Sequence, residues 1–372
     1  MSLEAIEKAN AVCTECFDSS PTPPALNLDA HIAYLSKQLG TLPSGFTSLD
    51  ASKPWIVYWA INGLGMMNLS LGSLSDVIST TLLALQNPSG GFGGGIGQPS
   101  HLAPTYASIL SLAYCNSKAW SEIDRKGLYS FFLSLKQPNN GFKVCEHGEV
   151  DPRGAYIVLC IASLLDILTP ELKAGVGEYI KSCQTYEGGI ANCPDGEAHG
   201  GYAFCALACL FFLDEPPASY INLDKFIDWL CQRQTLVGGF SGRTNKLVDG
   251  CYSHWVGNCW ALIDQLIGDQ HLWEPERLRR FILYCCQAPK GGLRDKPDCK
   301  PDAYHSNYVL CGLSGANYCY SMGKNGVFDW NVALRWPENE AEVLPMNPVM
   351  CLPLGVAEAM HSYFEGTVLT LE

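Results

Sequence analysis

QTLVGGF (residues 234–240) is one copy of a pattern that returns along much of the chain: a glutamine, three variable residues, two glycines and an apolar residue. QNPSGGF (86–92), QTYEGGI (184–190) and QAPKGGL (287–293) repeat it. QPNNGF (137–142) is a degenerate copy with Asn140 in place of the first glycine. Gln86, Gln137, Gln184, Gln234 and Gln287 stand 51, 47, 50 and 53 positions apart. Ser44-Gly45-Phe46 reads as an earlier copy of the turn without its glutamine. Self-similarity at such a period marks a repeat architecture, in which each unit buries against its neighbours what it cannot bury alone.

Outward from each turn the chain reads as helix. On the N-terminal side lie runs such as DKFIDWLCQ (224–232), where Phe226, Trp229 and Leu230 fall at helical spacing. Glycine suits the stop of such a helix, because the left-handed conformation needed there costs it almost nothing. About a dozen residues beyond each turn a second apolar run opens on polar and aromatic residues: HLAPTY (101–106), EVDPRGAY (149–156), EAHGGYAF (197–204), KLVDGCYSHW (246–255) and PDAYHSNY (301–308). Trp55 to Trp59 stands in the same place after the first copy. The unit is therefore helix, glycine turn, loop, helix. The fold class is all-α, with five or six hairpins over about residues 44–325 and a closing segment over about 326–372, in a single domain. The hairpins can stack as an open solenoid or close into an α/α barrel (toroid). The chemically unusual residues share one phase of the repeat, which favours the closed form, where they converge on a central cavity. Periodicity alone separates the two no further. Scarcity of period-two β-branched runs argues against a propeller.

Composition narrows the class. Hydrophobic residues make up 47% of the 372 and charged residues 16%, enough for a large core and unlike a disordered chain. A formal charge of −13 argues against nucleic acid as a partner, since phosphate backbones select clustered Lys and Arg. The 18 cysteines are scattered through apolar segments, as at Cys205, Cys209 and Cys311, a distribution unlike a disulfide scaffold. The N-terminus MSLEAIEKAN lacks an apolar signal region, and the apolar stretch Tyr202 to Leu213 is too short to span a bilayer. A cytoplasmic protein with no stable membrane insertion is expected.

Asp249-Gly250-Cys251 carries the sharpest chemical signal. Inside a helix, residues two apart point to nearly opposite sides, so Asp249 and Cys251 share a ligand only if the helix starts at this point and Asp249 precedes it in irregular backbone. Gly250 makes such a bend easy. His305, at the same phase of the next repeat, supplies a third donor. Asp, Cys and His are three zinc ligands with a fourth position open, the catalytic rather than structural pattern. Taken singly, Asp249 reads as an N-cap, Cys251 as core and His305 as a structural histidine; their shared phase carries the joint reading. His199, Arg243 and Lys246 fall in that phase too, with Arg153 one repeat earlier. In so acidic a chain these cations suggest an anionic group such as a diphosphate. Trp55, Trp59, Tyr106, Tyr156, Tyr202, Tyr252, Trp255 and Tyr304 gather at helix starts beside polar groups, which fits an apolar ligand channel.

Together these residues resemble the β subunits of protein prenyltransferases, from about Leu35 to about Ser314. The family's zinc motif, D-x-C-Y-S-x-W, stands here as Asp249 to Trp255, and its zinc histidine as His305. The resemblance implies the α/α barrel and one Zn²⁺ on Asp249, Cys251 and His305. It implies that His199, Arg243, Lys246 and Tyr252 hold an isoprenoid diphosphate. The isoprenoid would lie against Trp55, Tyr106, Arg153, Tyr156, Gly201, Tyr202, Cys205 and Trp255, and a peptide against Trp55, Trp59, Ala103, Arg153 and Tyr304. The farnesyl-transferring branch is implied by bulky Trp55, which would shorten the pocket, and by Asp295 in GGLRDKP, which matches a carboxylate for Mg²⁺ at the diphosphate. The implied activity joins farnesyl diphosphate to the cysteine of a C-terminal C-a-a-X sequence, in a heterodimer with an α subunit. His254 departs from an expected apolar residue, Asn140 from a glycine, and similarity is loose after Asn325.

Four other readings compete. A type-I geranylgeranyltransferase β subunit is disfavoured by Trp55 and Asp295. A triterpene-cyclase barrel needs a D-x-D-D-like acid, and an α/α glycosidase needs paired cavity carboxylates. A peptide-binding repeat scaffold leaves Asp249, Cys251 and His305 unexplained.

Overall fold

In the computed structural model, residues 2–268, 271–336, 341–367 and 369 are described. Six helical hairpins are found among them. The outer helices are Leu28–Gln38, Leu74–Leu83, Arg125–Leu135, Val176–Ser182, Leu223–Cys231 and Pro275–Phe281. The inner ones are Lys53–Met66, Leu102–Leu112, Pro152–Leu164, Gly200–Leu210, Gly257–Ile267 (led by the short Tyr252–Trp255) and Ala303–Asn317. The two sets differ as their positions demand. Leu223–Cys231 buries Phe226, Trp229 and Leu230 on one stripe, whereas Gly200–Leu210 is buried on nearly every side. Side chains of Asn27, Asp124 and Asn222 cap three of the outer helices by accepting from backbone N–H groups.

The recurring glutamine is a clasp. Gln234 Nε2 donates to Gly238 O and to Glu274 O, both at 2.9 Å, and its Oε1 accepts from Glu274 N at 2.9 Å. One side chain thus fixes its own turn and stitches it to the start of the next outer helix. Gln86 does the same with Asp124, and Gln184 with Asn222. Gly238 is at φ +89°, and a Cβ there would lie 2.4 Å from Arg277 O, so only glycine lets the turn sit on the next helix. The last copy closes the ring. Gln287 Oε1 accepts from Asn27 N at 2.9 Å and Nε2 donates to Ala25 O at 3.2 Å, so this last turn clasps the start of the first outer helix. Inside, Asn62 of the first inner helix donates to Asn307 of the last at 2.7 Å. The α/α barrel is therefore the closed form.

The structure departs from expectation at four places. The ring begins earlier than residue 44, since its first outer helix is Leu28–Gln38. Ser44-Gly45-Phe46 is no copy of the turn but opens a 3₁₀ helix, Ser44–Ser52, where a Cβ on Gly45 would meet open space. In the degenerate copy the register falls on Lys136, not Gln137: Lys136 bridges Phe142 as Gln86 bridges Phe92. That copy is one residue short after its glutamine, so the position six before the apolar residue is a lysine. Lys136 Nζ donates to Glu171 O and Leu172 O in place of the amide clasp. Lastly, after the sixth inner helix comes a β-hairpin that periodicity did not announce, β1 (Tyr318–Met322) antiparallel to β2 (Trp330–Leu334), with Tyr318 opposite Leu334. A buried loop and the helix Val356–Glu365 follow, held to the ring by Arg125, whose guanidinium donates to Leu165 O and Thr367 O. No helix of the described residues is long and apolar enough to cross a membrane.

Candidate functional site

One position of the repeat builds most of the site. Nine residues after the apolar residue of each turn stands His101, Asp151, His199, Asp249 or Asp302. Each caps the start of an inner helix or helical turn with its side chain, accepting from the N–H of Ala103, Arg153, Gly201, Cys251 or His305. The backbone N–H of His101, His199 and Asp249 in turn bonds the carbonyl of that apolar residue. Imidazoles and carboxylates are thereby brought to one rim of the barrel, where the inner helices begin.

Asp249, Cys251 and His305 meet there. One donor atom from each lies within 4.8 Å of the others. Asp249 precedes the helix Tyr252–Trp255, and Cys251 is its N-cap residue, as the paired geometry requires. Gly250 serves a different purpose from the bend expected of it: a Cβ there would lie 2.7 Å from Arg294 O, and its N–H donates to Asp295 O at 2.6 Å. The glycine lets the Asp249 loop press against the bend carrying Asp295. His305 Nε2 lies 3.3 Å from Asp249 Oδ1, and Nδ1 lies 2.7 Å from Asp302 Oδ2. Burial opposes charge on His305, but hydrogen bonds to Asp249 and Asp302 raise it to about 10. Cys251 is pushed well above its ordinary value by burial and by the Asp249 carboxylate. These donors favour a positive charge between them, and a dication would both replace the histidine proton and release the thiol proton. The set fits a metal of the zinc type, with Asp302 orienting the histidine from behind.

Next to the metal group a cavity of about 310 Å³ opens. Of the residues expected there, Trp55, Ala103, Tyr106, Arg153, Tyr156, His199, Gly201, Tyr202, Cys205, Tyr252, Trp255 and Tyr304 line it. Trp59 does not line it but stands behind the wall, stacked on Trp55 at 5.4 Å and edge-on to Tyr304 at 5.5 Å. Arg243, Lys246, Asp249, Cys251, Asp295 and His305 are also absent from its lining. His101, Val144, Glu149, Ile157 and Tyr308 line the cavity without having been singled out. The nine-residue offset from Phe92 was signal enough to find His101.

Charge at the mouth is organised. His199 Nδ1 accepts from Gly201 N at 3.0 Å, which leaves the proton on Nε2, 2.9 Å from Tyr252 Oη. Burial, with help from Arg243, lowers the His199 pKa and keeps the ring neutral. Nε2–H therefore donates to Tyr252 Oη, whose own proton is left to donate to an anion. Arg243 is paired with Glu197, and Arg153 with Asp151 and Glu149 at 2.6 and 3.0 Å. Lys246 is half-buried on the same loop as Arg243. Asp295 is raised by burial and by nearby Asp249. One of its oxygens is held by Lys296, while Oδ1 is buried without a hydrogen-bond partner, which suits a hard cation such as Mg²⁺. His254, the departure from the motif, lies in the core with burial holding it neutral, down to about 3; it stacks on Tyr308 and lies 2.8 Å from Asn258 Nδ2. A neutral, paired imidazole serves where an apolar residue was expected.

Residues 26–352 match the model of the prenyltransferase alpha-alpha toroid domain. The protein farnesyltransferase subunit beta of Schizosaccharomyces pombe is 42% identical over 350 residues, covering 91% of each chain. That of Saccharomyces cerevisiae is 44% identical over 368 residues, covering 94% of this chain and 83% of its own. The chain belongs to the protein farnesyltransferase β-subunit family. Among solved structures, Candida albicans protein geranylgeranyltransferase-I complexed with GGPP superposes with a TM-score of 0.75 over 93% of this chain and all of its own. At 22% identity that likeness speaks for the barrel alone. Family membership and the closed ring agree, since the toroid is the fold that the glutamine clasps build.

Proposed function

We propose that this chain is the catalytic half of a protein farnesyltransferase, working with an α subunit in the cytoplasm on farnesyl diphosphate and C-terminal C-a-a-X proteins. The observation that carries the reading is the juxtaposition of an Asp–Cys–His donor set with an aromatic cavity whose mouth presents neutral-imidazole and phenol donors.

Zn²⁺ held by Asp249, Cys251 and His305 would supply the Lewis acidity that keeps a substrate thiol deprotonated at neutral pH. The aromatic walls take the farnesyl chain and exclude water from the reacting carbon. The substrate sulfur attacks C1 of the isoprenoid; the S–C bond forms as the C1–O bond breaks, and the electron pair leaves with the diphosphate. His199, Tyr252, Arg243 and Lys246 stabilise the growing negative charge, and Asp295 would hold Mg²⁺ beside it. Arg243 and Arg153 are held by carboxylates at the mouth, so arriving substrate exchanges one anionic partner for another. Trp55 narrows the cavity and favours a C15 chain over the C20 chain of the geranylgeranyl reading.

Cobalt substitution tests the thiol-activating role. In the Co²⁺-loaded heterodimer, adding a C-a-a-X peptide should strengthen the sulfur-to-cobalt charge-transfer absorption, as a second thiolate joins Cys251. A peptide with serine for cysteine should leave it unchanged. No response to the cysteine peptide would overturn the reading.

A further inference from the structure

The wall of the cavity is tied to a loop that belongs to no repeat. Tyr156 Oη donates to Val349 O at 2.8 Å, which commits its one proton. Tyr106 Oη, 3.1 Å away, must therefore be the donor to Tyr156. Tyr106 and Tyr156 line the cavity and are almost wholly buried, at 6% and 3% exposure respectively. Val349 lies in loop 346–352, every residue of which is buried. The loop is itself pinned. Asn347 Oδ1 accepts from Val349 N and Met350 N, both at 3.1 Å, and Cys351 O accepts from Asn62 of the first inner helix at 3.0 Å. Tyr106 in turn packs on Trp55 at 5.7 Å and Tyr156 on Phe204 at 5.9 Å.

A ring held only by packing can rotate to admit a longer ligand. These two cannot do so freely, because swinging either one leaves buried oxygens without partners in an apolar interior. We infer that loop 346–352 sets the depth of the cavity, Val349 O anchoring Tyr156 and, through it, Tyr106. The inference rests on the prenyl-diphosphate reading of the cavity. It makes the closing loop part of chain-length selection although none of its residues lines the cavity.

The test is calorimetric binding of C15 and C20 prenyl diphosphates to the heterodimer. Tyr156→Phe keeps the ring and removes both tethers, since Tyr106 loses its acceptor. It should move the C15:C20 affinity ratio toward C20 by roughly 3–10-fold, the range of one or two modest buried hydrogen bonds. Tyr106→Phe removes one tether and should move the ratio less. The double variant should match Tyr156→Phe rather than multiply the two effects, because both act along one chain of bonds. If both ligands bind and the ratio stays put in Tyr156→Phe, or the effects multiply, the loop does not set the depth. Should Tyr156→Phe not fold, Tyr106→Phe decides alone, since it leaves Val349 O paired; an unmoved ratio there overturns the inference. Failure of the unmodified heterodimer to bind either diphosphate would remove the reading of the cavity, and the inference with it.

Discussion

The Cys251→Ala heterodimer should carry well under one zinc per molecule and lose transfer activity by on the order of 10²–10³ or more, the range typical when a preorganised charge-stabilising group is removed. The donor set leaves little room for substitution. Cys251 is 4% exposed, its thiol is held protonated by burial and by Asp249, and the three donor atoms are within 4.8 Å. Without sulfur, Asp249 and His305 remain as an ion pair at 3.3 Å, a stable arrangement that no longer needs a metal. The loss should be graded. Asp302→Asn leaves all three ligands and weakens only the hold on His305 Nδ1, so metal affinity should fall by roughly 10–100-fold. Metal analysis after dialysis against a chelator checks both. Tight zinc in Cys251→Ala would refute the ligand assignment.

Replacing Trp55 with Thr should shift the preference between C15 and C20 diphosphates toward the longer by about 10–100-fold in kcat/KM. The indole is stacked on Trp59, lies 5.7 Å from Tyr106 and forms part of the cavity wall. Removing it frees space on the side where Trp59 and Tyr106 still define a slot, so a longer chain gains apolar burial without a new polar cost. Each added methylene in such a pocket is worth a discrimination on the order of 10-fold or more. Competition between the two diphosphates, measured by mass of the peptide product, reads the ratio directly. An unchanged ratio would mean that the depth is set elsewhere, with the tethered Tyr106 and Tyr156 as the place to look.

Much of this was written plainly in the chain, for a physical reason that differs from feature to feature. The repeat was legible because its turn needs particular residues: a glutamine long enough to clasp two carbonyls and an N–H, and a glycine where Arg277 O leaves no room for Cβ. Lys136 was missed because it replaces the glutamine by a different chemistry, an ammonium on two carbonyls, while Gln137 beside it looks like the right residue in the wrong register. The metal donors were legible through phase, and the same phase holds His101, nine residues past Phe92. Glu149 and Tyr308 carry no such mark; they enter the cavity because helix starts converge, which a linear spacing does not express. The β-hairpin and loop 346–352 lie outside the repeats, so the pattern that revealed the barrel says nothing about how it is closed. Ring closure is read at Gln287, whose partners Ala25 and Asn27 are some 260 residues away in sequence.

The most direct test of the central claim is transfer itself. The chain would be co-expressed with a protein farnesyltransferase α subunit and the purified complex given equal farnesyl and geranylgeranyl diphosphate with a C-a-a-X peptide ending in Ser, Met, Gln or Ala. The expected product is zinc-dependent, a peptide whose cysteine carries a C15 chain, with no product from the serine-substituted peptide. A product carrying mainly the C20 chain, or C15 transfer that persists in a zinc-free complex, would contradict it.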